Sequence, residues 1–227
     1  IVFGDWSSDV CSSDLNPLRG QNNVQGACDM ACLPGNLPAY KRVAEDAERK
    51  PFEEAWGVKL PAKPGLTIPK IIDGAADGTV KALYVMGEHP MMSDPDTAHV
   101  EHALKNLDLF IVQDIFLNET AQLAHVVLPS SAWAEKEGTF TNTERRVQRI
   151  RKAVDAPGEA RDDWAIITAI ADKMGAPWSY DSAQAVFEEV ARVTASYAGI
   201  TYDRIEWKGL QWPCPTPGHP GTPILHG

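Results

Sequence analysis

Three short apolar runs, residues 81–86 (Lys-Ala-Leu-Tyr-Val-Met), 109–112 (Leu-Phe-Ile-Val) and 126–128 (Val-Val-Leu), alternate with stretches of helical character at 96–104 and 119–123. Short uniform apolar runs belong to strands buried in a sheet, and a helix between successive strands is the connection that parallel pairing requires. The pattern predicts an α/β fold, a parallel sheet with helices on both faces. Right-handed crossovers then bring the C-terminal strand ends to one edge, where such sheets bind ligands.

The flanking segments are less regular. Residues 16–40 are rich in Gly, Asn, Gln and Pro without an apolar period, which predicts a long ordered loop. A helical piece follows at 40–56, then a Pro-punctuated connector at 58–64. Thr67 is placed to cap a short helix with Pro69 in its first turn, and Gly74 and Gly78 mark its end. Beyond the alternation, residues 147–154 read as a half-exposed strand, two amphipathic helices lie near 164–174 and 183–193 with Gly175 as a stop signal, and residues 209–223 are turns.

Composition narrows the function classes. The 227 residues are 44% hydrophobic, enough to bury a core without help from disulfides. The net charge of -10, from 21 Lys+Arg against 31 Asp+Glu, repels polyphosphate chains and argues against a nucleic-acid partner. Neither a long apolar run nor a basic leader before an apolar stretch is present, so no membrane span or secretory signal is expected. Cys11, Cys28, Cys32 and Cys214 are too scattered for a disulfide framework, and no third or fourth ligand stands at a zinc-site spacing from Cys28 and Cys32. Reduced thiols in a cytoplasmic protein are the simpler reading.

Residues 1–15 have neither helical nor strand period, and Asp5 to Leu15 resembles a translated sequencing adapter. They are expected to be non-native and carry no weight in the fold reading. A native N-terminal part is therefore expected to be missing, and the Pro/Gly-rich end at His226-Gly227 to be interrupted.

The segments that carry chemistry sit at strand ends or in polar loops. Gly87-Glu88-His89-Pro90 follows the first strand, as a plain turn or as backbone amides and a carboxylate facing a ligand. Gln113-Asp114 ends the second strand, where Asp114 serves either as a helix N-cap or as an acceptor for a ribose diol or guanine edge. Residues 135–146, Glu-Lys-Glu-Gly-Thr-Phe-Thr-Asn-Thr-Glu-Arg-Arg, are either a solvated face or a set of oriented hydrogen-bonding groups.

Taken together the segments are more specific. Residues 16–30, containing Arg19-Gly20-Gln21-Asn22-Asn23, resemble the Arg-Gly-Gln-Asn-Asn loop of formate dehydrogenase alpha subunits. Residues 112–129 are similar to the stretch of that family ending Ala-Asp-Val-Val-Leu-Pro, residues 133–148 to its Glu-Lys-Glu-Gly-x-x-x-Asn-x-Glu-Arg-Arg signature, and the tail around Trp212-Pro213-Cys214 to the same subunits. The resemblance implies a bis(molybdopterin guanine dinucleotide) molybdenum site built by several domains. Arg19 then matches the arginine that holds the formate carboxylate, a role suited to a planar, permanently charged fork. Gln21 matches a pterin-bonding residue, and Gly87, Glu88, Gln113, Asp114, Lys136 and Asp163 fall along the guanosine diphosphate arms.

The implied domain order is 16–65, the end of a preceding cofactor-binding domain with the active-site loop; 66–178, the nucleotide-binding α/β domain; and 179–227, a helical extension into a truncated region. The selenocysteine or cysteine ligand, its following histidine and the four-cysteine iron-sulfur motif of the family have no match here, so the chain alone is expected to be inactive. Formate, an iron-sulfur or diaphorase electron-transfer subunit using NAD, and a cytoplasmic location complete the expectation. His89, His125 and Ala31 depart from the pattern, standing where the family usually has Asn, Asp and Gly. The rivals are another enzyme of the superfamily, such as a nitrate reductase, and a non-catalytic scaffold like the large subunit of respiratory complex I.

Overall fold

The computed structural model describes residues 20–176 and 178–224; Arg19, the adapter-like residues 1–15 and the His226-Gly227 end lie outside the described residues. The chain divides into two compact units that are discontinuous in sequence: Ile1–Pro64 with Gly138–Arg149 and Gln184–Gly227, and Gly65–Glu137 with Ile150–Ala183. The three successive segments expected from the sequence are thus cut differently. Residues 138–149 fall outside the unit that holds most of 66–178, the segment expected to bind nucleotide, and residues 184–227 join the first 64 residues.

Where a loop was expected, residues 20–40 contain a six-residue helix, α1 (Val24–Asp29), and a two-residue strand, β1 (Asn36–Leu37), paired antiparallel with β2 (Lys41–Arg42). Gly and Asn hide this helix from a periodicity argument, because six residues are too few to show one. Helix α2 (Asp46–Trp56) stops at Gly57, which takes the left-handed conformation at φ 66°. Helix α3 (Ile68–Asp77) starts behind extended Thr67 with Pro69 in its first turn and ends at Gly78, φ 80°. Gly74 lies inside α3 rather than at its end. A Cβ there would stand 2.8 Å from Val80 Cγ2, so close approach explains the glycine.

The alternation then unfolds as expected: β3 (Ala82–Met86), the short α4 (Pro90–Ser93), α5 (Thr97–Lys105), β4 (Leu109–Asp114), α6 (Glu119–Gln122) and β5 (Val126–Pro129). Asp96 caps α5 by accepting from His99 N at 3.0 Å, and Asn118 caps α6 by accepting from Ala121 N at 2.9 Å. The strands pair in parallel in the order β3-β4-β5, with Val85 beside Val112 and Val112 beside Val127. Ile72 and Ala75 of α3, Val100, Ala103 and Leu104 of α5, and Ala121 of α6 close over Val85, Phe110 and Val112 to make the core of this unit. Its cover is lopsided: on the opposite face Tyr84, Met86, Leu109 and Val126 stay a third or more exposed.

The chain crosses to the first unit as β6 (Gly138–Thr141) and β7 (Arg146–Ile150). The strand expected at 147–154 stops four residues early, and β6 lies in what reads as a polar loop. Helix α7 (Asp163–Lys173) completes the second unit, while α8 (Ala183–Val193) and β8 (Leu210–Gln211) complete the first, β8 pairing antiparallel with β7. Val147, Phe187, Tyr197, Ile200, Tyr202, Ile205 and Cys214 form its core. Among the described residues no helix is long and apolar enough to cross a membrane.

Candidate functional site

Parallel pairing puts the ends of β3, β4 and β5 on one edge, and several of the polar residues singled out from the sequence gather there. Gly87 takes φ 61°, and its N–H donates to Gln113 O at 2.9 Å, carrying the ladder one residue past β3. Open space surrounds its missing Cβ, so the positive φ, not crowding, selects glycine. Glu88 accepts from Ser93 Oγ at 2.7 Å. His89 bridges to α6, Nδ1 lying 2.8 Å from Thr120 Oγ1 and Nε2 3.0 Å from Glu119 Oε2.

Asp114 resolves one of the open alternatives. The cap of α6 is Asn118, while Asp114 braces the turn between β4 and α6, accepting from Ile115 N at 2.6 Å, Phe116 N at 3.2 Å and Asn118 Nδ2 at 3.2 Å. Its carboxylate faces the sheet edge with these donors already aimed at it.

Beside it lies a network whose members come from four places in the chain. Gln113 is fully buried; Tyr84 Oη donates to its Oε1, and its Nε2 donates to Asp163 Oδ1 at 2.6 Å. Lys136 Nζ donates to Asp163 Oδ2 and to Ser131 O at 3.0 Å, and Ser131 Oγ donates to Asp162 Oδ1 at 2.8 Å. Backbone pairing explains the reach: Arg161 N donates to Pro129 O and Ser131 N to Arg161 O, so the chain entering α7 runs beside the end of β5 and delivers Asp163 to the edge. Burial, then the charge of Asp163, pushes the Tyr84 phenol up, so Tyr84 remains a protonated donor. Gly87, Gln113, Asp114, Lys136 and Asp163 are thus brought to one edge. Tyr84, Ser131 and Asp162 went unpredicted: Tyr84 reads as an ordinary strand residue, and nothing in the sequence announces the pairing at Arg161.

Gln21 belongs to the other unit. There Gly20, Gln21, Asn22 and Asn23 wall a cavity of about 330 Å3 together with Thr141, Asn142, Thr143 and Gln148. Amides and hydroxyls share this lining with Val24 and Phe140. Asn23 takes φ 61°, and its Oδ1 accepts from Thr141 N at 2.9 Å; a Cβ on Gly26 would stand 2.1 Å from that oxygen, so only glycine lets the asparagine reach across. On the far wall Asn142 accepts from Arg146 N at 2.9 Å and donates to Glu144 Oε1 at 3.2 Å. Arg146, 2.6 Å away, and then Asn142 hold the Glu144 carboxyl below its ordinary range. Among the described residues no group of three or more His, Cys, Asp or Glu side chains is arranged to hold a metal ion.

Comparison with known proteins gives the chain its relatives. The family model for molybdopterin oxidoreductase matches residues 11–173. The F420-dependent formate dehydrogenase 1 subunit alpha of Methanococcus maripaludis is 58% identical over 214 residues, 93% of this chain and 31% of that protein. Formate dehydrogenase H of Escherichia coli is 45% identical over 202 residues, 88% of this chain and 28% of that protein. The chain therefore spans less than a third of the length of these relatives. Among solved structures, acetylene hydratase from Pelobacter acetylenicus superposes with a TM-score of 0.53 at 24% identity, covering 72% of this chain and 23% of that one, which is a likeness of fold.

Proposed function

This chain belongs to the molybdopterin oxidoreductase family, and we propose that it is part of the catalytic subunit of a molybdenum-dependent formate dehydrogenase, which oxidises formate to carbon dioxide. The observation that carries the proposal is the cavity walled by Gly20-Gln21-Asn22-Asn23, whose amide side chains suit the alternating donors and acceptors of a pterin edge. The 56–58% identity to three formate dehydrogenase alpha subunits supports the same substrate.

In this reading Gln21 bonds a pterin, and Gly87, Glu88 and Asp114 meet a guanine dinucleotide arm at the sheet edge. Gln113, Lys136 and Asp163 contribute to that arm as a prebuilt unit. Because Asp163 already neutralises Lys136, the group presents oriented dipoles more than a free charge. Arg19, matched from the sequence alone, would bind the formate carboxylate and orient its C–H toward the metal centre. When bound, the cofactor would supply the acceptor for the two electrons and the proton that formate gives up on becoming carbon dioxide. The chain's own task is to bind, orient and exclude water.

A cytoplasmic complex with a diaphorase-type partner using NAD fits the sequence reading. F420 is a second acceptor with specific support, since three relatives 56–58% identical are F420-dependent by name. The full-length protein, purified anaerobically, is expected to contain molybdenum and guanine-dinucleotide pterin and to reduce a viologen dye with formate. Arg19→Lys is expected to lower kcat/KM for formate by about 10- to 100-fold, the loss of one charge-assisted bidentate contact. Purified protein without molybdenum would instead favour the scaffold reading.

A further inference from the structure

Asp29 is fully buried in the first unit, and nothing in the proposed chemistry uses it. It ends α1, the helix whose other end carries the cavity wall Gly20 to Asn23. A helix of six residues does not hold itself in place; its contacts must. Asp29 supplies them: Oδ1 accepts from Gln25 Nε2 at 2.7 Å, and Oδ2 accepts from Tyr197 Oη at 2.6 Å and Trp212 Nε1 at 2.7 Å. A carboxylate suits a point where three donors converge, because it presents only acceptors. Burial first, then the charge of Asp29, pushes the Tyr197 phenol far up, so that partner stays a donor.

The two distant donors are themselves fixed. Tyr197 and Trp212 stack with ring centroids 6.3 Å apart, Arg145 lies 5.3 Å over the Trp212 ring, and Tyr197 packs edge-on against Phe187. At the opposite end of α1, Asn23 Oδ1 takes the Thr141 N–H. The helix is therefore pinned at both ends to segments more than a hundred residues away.

We propose that Asp29 is a positioning residue for the cofactor-facing loop: through Tyr197 and Trp212 it fixes α1, and so sets where the amides of Gln21 and Asn22 stand in the cavity. This deepens the formate dehydrogenase reading and rests on it for the identity of the occupant. The test compares Tyr197→Phe, which removes one donor and keeps the ring, with Ile205→Val, a trim of the same core that leaves Asp29 untouched. In the full-length protein, amide exchange over residues 20–27 is expected to rise about 2- to 10-fold in Tyr197→Phe, the worth of one hydrogen bond, and to stay unchanged in Ile205→Val. The formate KM of Tyr197→Phe is expected to rise with kcat within about twofold, and by less than the exchange factor, because KM follows the fraction of loop that is competent whereas exchange follows the opening equilibrium.

Unchanged exchange in Tyr197→Phe, or an equal rise in Ile205→Val, overturns the proposal. If the unaltered protein fails to oxidise formate, the functional reading falls while the exchange comparison still decides the positioning role.

Discussion

Gln113 shows how a polar residue becomes tolerable in a sheet core. Both ends of its amide are occupied, by Tyr84 Oη on one side and Asp163 on the other, so burial leaves neither without a partner. Gln113→Leu keeps the volume but removes two hydrogen bonds, Asp163 retaining Lys136, and is expected to cost about 1–2 kcal/mol in urea unfolding, more than a typical surface change. Glu144 gives a signed pH dependence. Its folded carboxyl lies below the ordinary range because Arg146 and Asn142 favour the charged form. Its contribution is thus fully present above the ordinary glutamate value of about 4.3 and fades as pH falls through the depressed folded one. Glu144→Gln is expected to flatten the acid limb of the stability profile, and an unchanged limb would deny Glu144 that share. The pairing of Gln113 with Asp163 was not readable beforehand, since a partner 50 residues away leaves no local mark.

At the scale of elements, the sequence was readable where pattern and packing agree. The three apolar runs became β3, β4 and β5 in parallel register, and Gly78 ends α3 in the left-handed conformation, whereas Thr67 precedes that helix without the side-chain cap bond expected of it. The failures share a cause. β6, Gly-Thr-Phe-Thr, carries one large apolar residue and no alternation to announce it, so its strand character comes from pairing with β7. Helix α1 likewise exists because Asp29 and Asn23 are held from afar. The polar loop at 135–146 proved divided, Lys136 serving the edge network and Asn142 the cavity. Phe110 sits at the centre of the α3–α5–sheet core with no exposed surface, and Phe110→Ala is expected to cost about 3–5 kcal/mol by calorimetry or denaturant. Gly74→Ala, which drives a methyl into Val80, should destabilise rather than improve α3 despite the better helix propensity of alanine.

For the whole molecule, the decisive feature is that neither unit is one stretch of chain. Residues 138–149 interrupt the second unit and belong to the first, whose last strand, β8, lies beyond residue 209. A chain ending at residue 183 is therefore expected to protect the amides of β3 and β4 from exchange while β7, deprived of β8, exchanges freely; equal protection of all three would refute this division. As the polypeptide emerges from a ribosome, the sheet and its helices can close once α7 is out, yet β6 and β7 must wait, already made and still unpartnered on one side, for about sixty more residues to be synthesised. During those few seconds the edge of β7 has no β8 beside it. The first unit is thus complete only after translation has passed Gln211.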